Sequence, residues 1–101
     1  MRALLEDGVI PDGIVGASDS KALGAMTAAQ EAGISIPDQM VVIGIDNILA
    51  EHTTPPLPAV SLPFEDVGRR AAEEALRFNA EGGGQRTSAM EIRLKPTLVE
   101  R

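Results

Sequence analysis

The chain has 101 residues, 9 basic against 15 acidic side chains, and a formal net charge of −6. A chain of this size supports one modest core, burying roughly 60–70% of the surface it exposes when unfolded. With no Cys, Trp or Tyr, a single His52, and only Phe64 and Phe78 as aromatics, a disulfide framework, a thiolate zinc site, a histidine-rich metal site and a base-stacking row are excluded, and the acidic balance argues against phosphate-backbone contact by these residues.

Met1 to Pro11 carries neither the basic nor the apolar region of a secretory signal, and no apolar run approaches the roughly 20 residues of a membrane span. With Met1 as the true start, the protein is expected to be intracellular and soluble. Arg2 to Asp7 reads as the last turns of a helix that has no visible beginning, closed by Gly8. Pro11-Asp12-Gly13 is a turn, and Gly13 to Ala17 is a short apolar run without alternation, as expected of a parallel strand covered on both faces. Ser18, Asp19 and Ser20 are helix-capping types ahead of an Ala-rich helix from about Ser20 to Ala32, closed by Gly33. Its apolar residues run almost all the way round, which predicts burial on more than one side.

After the loop Ile34 to Asp38, Val41 to Ile45 is a second strand of the buried type, and strand, helix and strand together predict a parallel βαβ unit. Asp46 to Pro58, rich in Thr and Pro, excludes a regular element over most of its length and is long enough to suggest a function. Phe64 to Phe78 reads as an amphipathic helix with Phe64, Val67, Ala71, Ala75 and Phe78 on one stripe, and Glu65–Arg69 and Glu73–Arg77 in the favourable order for ion pairs. Gly82-Gly83-Gly84 reads as a flexible loop. Met90 to Lys95 alternates apolar with polar and predicts a half-exposed strand, with Pro96 marking an edge or a crossing point.

Ligands of open α/β sheets collect beyond the carboxyl ends of the strands. Here those ends are Ala17-Ser18-Asp19 and Ile45-Asp46-Asn47. Strands about 4.8 Å apart would let Ser18 or Asp19 act with Asp46 on one small molecule, helped by free N–H groups at the start of the Ala-rich helix. Carboxylate, amide and hydroxyl grouped this way suit a polyhydroxylated ligand such as a sugar or nucleoside. The plainer reading is that Ser18 or Asp19 caps the helix, Asp46-Asn47 forms a turn, and His52 is a solvated loop residue. A nucleophile elbow at Gly16-Ala17-Ser18-Asp19-Ser20 lacks its second glycine, and nothing places His52 beside Ser18, so a hydrolase using Ser18 is a minor alternative. The triple glycine lacks the Lys-Ser/Thr of a phosphate loop. Glu73 and Glu74 read as a solvated face.

The order PDGIVGASDSKALGAMTAAQEAGISIPDQMVVIGIDN, then TTPPLPAVSLPFEDVGRRAAEEAL, then LKPTLVER resembles the carboxyl-terminal part of bacterial transcription regulators of the lactose-repressor (LacI/GalR) family, over essentially the whole chain. The resemblance implies an α/β fold: a partial three-layer α/β/α arrangement with a parallel sheet, part of a periplasmic-binding-protein-like type I domain. Residues 1–60 would belong to the carboxyl-terminal lobe, and residues 61–101 would supply a crossover, a helix packing on the amino-terminal lobe, and the return strands. It further implies a cytoplasmic, non-enzymatic sensor of small molecules without cofactor or metal, whose operator DNA is bound by an amino-terminal helix-turn-helix outside these residues.

Ser18, Asp19, Asp46 and Asn47 are the ligand residues so implied, with Asp46 foremost. Ser18 departs from the family's Asn and cannot make that amide's paired bonds. A homodimer through the Ala-rich helix and the loop after the second strand is implied, with Leu23, Met26 and Thr27 meeting a partner together with His52 and Thr53, and with Leu23 and Met26 exposed for that purpose. Lacking most of the second lobe, the helix at Phe64 to Phe78 is expected to fold back or to swap into a partner subunit. The alternative is the end of a periplasmic sugar-binding protein of a transport system, in which TTPPL followed by V-x-x-P and a G-x-x-A helix is not the usual pattern.

Overall fold

Helix and strand alternate along most of the chain because short β-branched runs are separated by Ala-rich or amphipathic segments that end on glycine. The computed structural model describes residues 1–82 and 90–101. Its elements are α1 (Arg2–Glu6), β1 (Gly13–Val15), α2 (Asp19–Glu31), β2 (Val41–Asp46), a 3-10 turn (Ala50–His52), β3 (Ala59–Ser61), α3 (Phe64–Ala80) and β4 (Thr97–Val99). The residues group into two compact units, Met1–Leu62 with Thr97–Arg101, and Pro63–Pro96.

In the first unit the strands form one open sheet in the order β1-β2-β3-β4. The β1–β2 and β2–β3 pairs are parallel, with Ile14 opposite Val42 and Ile45 opposite Val60, while β4 runs antiparallel to β3 with Val60 opposite Leu98. The expected βαβ unit is present as β1-α2-β2. Glycine closes both helices of this unit. Gly8 (φ 77°) and Gly33 (φ 80°) take the left-handed conformation, and the following N–H groups of Val9 and Ile34 reach back to Leu4 O and Ala29 O at 2.8 and 3.0 Å. The core forms where α2 lies on the sheet: Ala22, Met26 and Ala29 meet Val42, Leu57 and Ala59, all at 2% exposure or less.

Several expectations need correction. The first strand ends at Val15 rather than Ala17, and it is not covered on both faces, since Val15 is 68% exposed at an edge that no strand among the described residues occupies. Ala59–Ser61, short and flanked by Pro58 and Leu62-Pro63, was not anticipated as a strand, yet it is the third member of the sheet. Conversely, Met90 to Lys95 forms no strand. Its alternation has no neighbouring ladder to bond to, and pairing begins only after Pro96, which has no N–H to donate.

The second unit carries α3, two residues longer than expected and with none of its residues buried; Phe64 and Val67 are each 48% exposed. The expected i,i+4 pairs do not form as drawn. Arg69 bonds Asp66 (3.3 Å) and Glu73 (2.9 Å) rather than Glu65, and Arg77 pairs with Glu74 rather than Glu73. A long guanidinium reaches both i±3 and i±4 neighbours, so spacing alone does not select its partner. Gly82 (φ 91°) follows the helix end, while Gly83 and Gly84 of the expected loop lie outside the described residues.

Candidate functional site

Two glycines let the first turn of α2 settle onto the ends of β1 and β2. A Cβ on Gly16 would stand 2.5 Å from the backbone nitrogen of Ala22, and one on Gly44 would meet the Oδ1 of Asp19 well under 3.0 Å. The amino end of α2 is thereby held at the carboxyl ends of adjacent parallel strands. There Ser18 adopts extended backbone (φ −160°) and its Oγ accepts from the Lys21 N–H at 3.3 Å, with Ser20 Oγ at 3.0 Å. Ser18 is therefore the N-cap, a half-buried residue bordering the strand ends.

Asp19, expected at a ligand, is 1% exposed and faces inward. Its Oδ2 accepts from three consecutive backbone N–H groups, those of Ile48, Leu49 and Ala50, at 2.7, 2.8 and 3.1 Å. Burial pushes this carboxyl up, but backbone N–H groups of Leu49, Ile48, Asn47 and Ala50 together outweigh it and hold the group below its ordinary value of 3.8. Asp19 Oδ1 is buried without a hydrogen-bond partner, against the α-hydrogen of Gly44.

From the last residue pair of β2, Asp46 with Ser61, the chain turns through two non-glycine residues at positive φ, Asp46 (112°) and Asn47 (60°). Such conformations cost on the order of 1–3 kcal/mol each and persist where the surroundings over-determine them. Asp19 supplies part of that restraint from inside. Arg101 adds a second restraint, donating to Asn47 Oδ1 at 2.6 Å and to Leu57 O at 2.7 Å. Asp46 and Asn47 remain half-buried. Of the ligand residues read from the sequence, Ser18, Asp46 and Asn47 thus stand at neighbouring strand ends with polar groups near the surface, while Asp19 is spent on the turn. Arg101 was missed; it lies 54 residues from Asn47 and belongs to no local pattern.

A second feature gathers the five residues expected at a subunit interface. Leu23, Met26 and Thr27 of α2 line a cleft of ≈ 280 Å³ together with Leu49, His52, Thr53 and Thr54. Met26, however, is 2% exposed and belongs to the core rather than to an exposed face, because position 26 falls on the same stripe as Ala22 and Ala29. Leu23 is half-buried, and Thr27 and His52 are exposed. Thr53 is buried and stitches the loop: its hydroxyl donates to Ala50 O (2.9 Å) or Pro55 O (2.8 Å) and accepts from the Leu57 N–H (3.1 Å). Gln30 Nε2, also unanticipated, ties the loop to α2 through Thr54 O at 3.0 Å. His52 Nε2 lies 3.3 Å from Glu51 Oε1. Among the described residues no group of three or more His, Cys, Asp or Glu could hold a metal ion, and no helix is long and apolar enough to cross a membrane.

An open, mainly parallel sheet with polar side chains at its strand ends defines a class of α/β domain that holds small molecules beyond those ends. The family model described as periplasmic binding protein-like domain matches residues 1–101, and the chain belongs to that family. It is 39% identical over 92 residues to the HTH-type transcriptional regulator DegA of Bacillus subtilis (strain 168), a match covering 90% of this chain and 26% of DegA. Among solved structures it is similar to a LacI-type transcription regulator from Bifidobacterium animalis subsp. lactis DSM 10140, with TM-score 0.80 and 31% identity over 98% of this chain and 35% of that one. It is also similar to the transcriptional regulator CelR in complex with cellobiose, with TM-score 0.86 and 28% identity over 97% of this chain and 29% of that one. The chain thus spans about a quarter of DegA's length. These relatives are transcription regulators, and the transport-protein alternative is the less supported.

Proposed function

We propose that this chain is the effector-sensing and subunit-pairing segment of a LacI-type transcription regulator, coupling a sugar or nucleoside-like ligand to operator affinity. The observation that carries the reading is the placement of Ser18, Asp46 and Asn47 at adjacent parallel strand ends in a chain similar over nearly all its length to a LacI-type regulator. A hydroxyl, a carboxylate and an amide there match the hydroxyls of a polyol. Ligand binding would favour one arrangement of two lobes and so change the affinity of a helix-turn-helix supplied by other residues, a coupling between two sites. In this reading the protein acts in the cytoplasm, needs no cofactor and catalyses no reaction. Residues 1–60 belong to one lobe, and residues 61–101 cross toward the other and return.

Pairing would use the α2 cleft, with Leu23, Thr27 and His52 meeting a partner across a two-fold axis and the buried Met26 and Thr53 supporting them from beneath. The unburied apolar stripe of α3 adds a second consequence for the chain on its own, since Phe64 and Val67 need cover that folding back or exchange with a partner subunit would supply. DNA immediately upstream of the codon for Met1 tests the regulator reading: an in-frame helix-turn-helix followed by a βαβ-rich segment is expected, and a secretory signal there overturns it. Light scattering coupled to size exclusion tests the pairing: self-association is expected, and a well-folded monomer at all concentrations overturns it.

A further inference from the structure

We infer that Arg101 is a positioning residue for the end of β2, turning the Asn47 side chain so that its amide offers hydrogen-bond donors, and no acceptor, to a ligand beside the Asp46 carboxylate. The word ligand rests on the effector reading above; the positioning itself does not. A guanidinium carries five N–H groups and no acceptor, so only Oδ1 of Asn47 can face it, and the planar amide then directs its NH₂ away. The observed contact is Arg101 Nη2 to Asn47 Oδ1 at 2.6 Å. The second prong is anchored, because Nη1 donates at 2.7 Å to the carbonyl of Leu57, a residue 1% exposed. Leu57 is itself fixed, its N–H lying 2.9 Å from Ala50 O and 3.1 Å from Thr53 Oγ1. Register delivers the guanidinium: Val99, the last residue of β4, pairs with Ala59, so two residues past the strand the chain reaches the level of Leu57.

The turn is therefore held from two sides by opposite charges with separate tasks. Asp19 binds the backbone N–H groups of Ile48, Leu49 and Ala50, and Arg101 binds the side chain of Asn47. The left-handed backbone of Asn47 (φ 60°) completes the arrangement. An ionised Asp46 only accepts and the oriented Asn47 only donates, so consecutive residues make opposite demands. A carbohydrate with neighbouring hydroxyls meets both, one O–H donating to the acid and an adjacent oxygen accepting from the amide. A ligand that presents only donors does not.

The side-chain NH₂ signals of Asn47 in the ¹⁵N-labelled chain test the inference. They are expected away from the random-coil position, and Arg101→Met is expected to return them there while the backbone amides of Ile48, Leu49 and Ala50 keep their exchange protection. If that protection is lost together with the side-chain shift, Arg101 merely holds the turn and the inference is overturned; Asn47 signals already at the random-coil position in the unsubstituted chain overturn it equally. Arg101→Lys retains the charge without the fork and is expected to lose the shift, so a wild-type shift in that variant sinks the guanidinium geometry. Millimolar cellobiose then reads the donor role. Weak perturbation of Asp46 and Asn47 is expected, abolished by Asn47→Asp, which keeps an acceptor for Arg101 but has no donor. A wild-type response in Asn47→Asp overturns the donor role. No response to cellobiose in any form counts against a sugar effector, and leaves the positioning of Asn47 to be decided by the Arg101 variants.

Discussion

The α-hydrogen of Gly44 points at the buried Oδ1 of Asp19, so the middle of one strand and the first turn of a helix meet with no room for a methyl group between them. Gly44→Ala is expected to destabilise the chain by about 2–4 kcal/mol, since the carboxylate cannot yield without releasing the N–H groups of Ile48, Leu49 and Ala50. Urea unfolding monitored by circular dichroism measures it. In an Asp19→Ala background the same substitution should cost distinctly less, and equal costs in both backgrounds would show that the two residues do not oppose each other.

Acid should loosen the same turn. Because the folded-state pKa of Asp19 lies below its ordinary value of 3.8, the unfolded chain binds more protons across this window and stability rises with pH there. The contribution is fully present above 3.8 and is lost as pH falls through the depressed folded value. Chemical-denaturation midpoints collected from neutral pH downward should fall in that region, and Asp19→Asn should flatten the dependence. An unchanged profile in Asp19→Asn would assign the acid sensitivity to other carboxylates.

Thr53→Val is nearly isosteric and removes one hydroxyl from the centre of the 47–58 loop. Leu57 N–H keeps only Ala50 O, and Pro55 O loses its donor. A loss of about 1–2 kcal/mol is expected by thermal or urea unfolding, with Thr53→Ser close to the parent. A Val variant as stable as the parent would mean that this hydroxyl adds nothing to what Asp19, Gln30 and Arg101 already hold.

Thr27 is exposed on α2 beside the cleft that contains His52. Thr27→Arg should shift the mass measured by light scattering toward the monomer at a given concentration while leaving far-UV circular dichroism unchanged, because a two-fold interface would take up the bulky charge twice. An undiminished dimer would move the interface away from α2.

What could be read before folding was whatever depends on local pattern. The two parallel strands, the Ala-rich helix and its glycine stop follow from runs of β-branched residues and from Gly33, and the structure contains them. The site was legible only at the level of its address. That Ser18 caps α2 rests on neighbouring residues, whereas the inward turn of Asp19 depends on Gly44, a residue on another element with no mark of its own beyond being a glycine in a strand. Arg101 was beyond reach for the same reason, its partner being brought near only by the antiparallel return of β4. Met26 shows the complementary failure. A helix apolar on nearly all sides does not say which side meets the sheet, and Met26 proved to be on that side.

The pairing of Ser61 with Thr97 brings the two ends of the 63–96 excursion together at one place in the sheet. The chain leaves for residues 63–96 just after Ser61 and comes back at Thr97, so both connections depart from the same end of one antiparallel pair. Each connection carries a proline, Pro63 on the way out and Pro96 on the way back, whose ring fixes one backbone torsion. Residues 63–96 are thus an insertion between two strands that already stand side by side, and the β3–β4 ladder has the geometry of a hairpin whose loop has been opened to admit them.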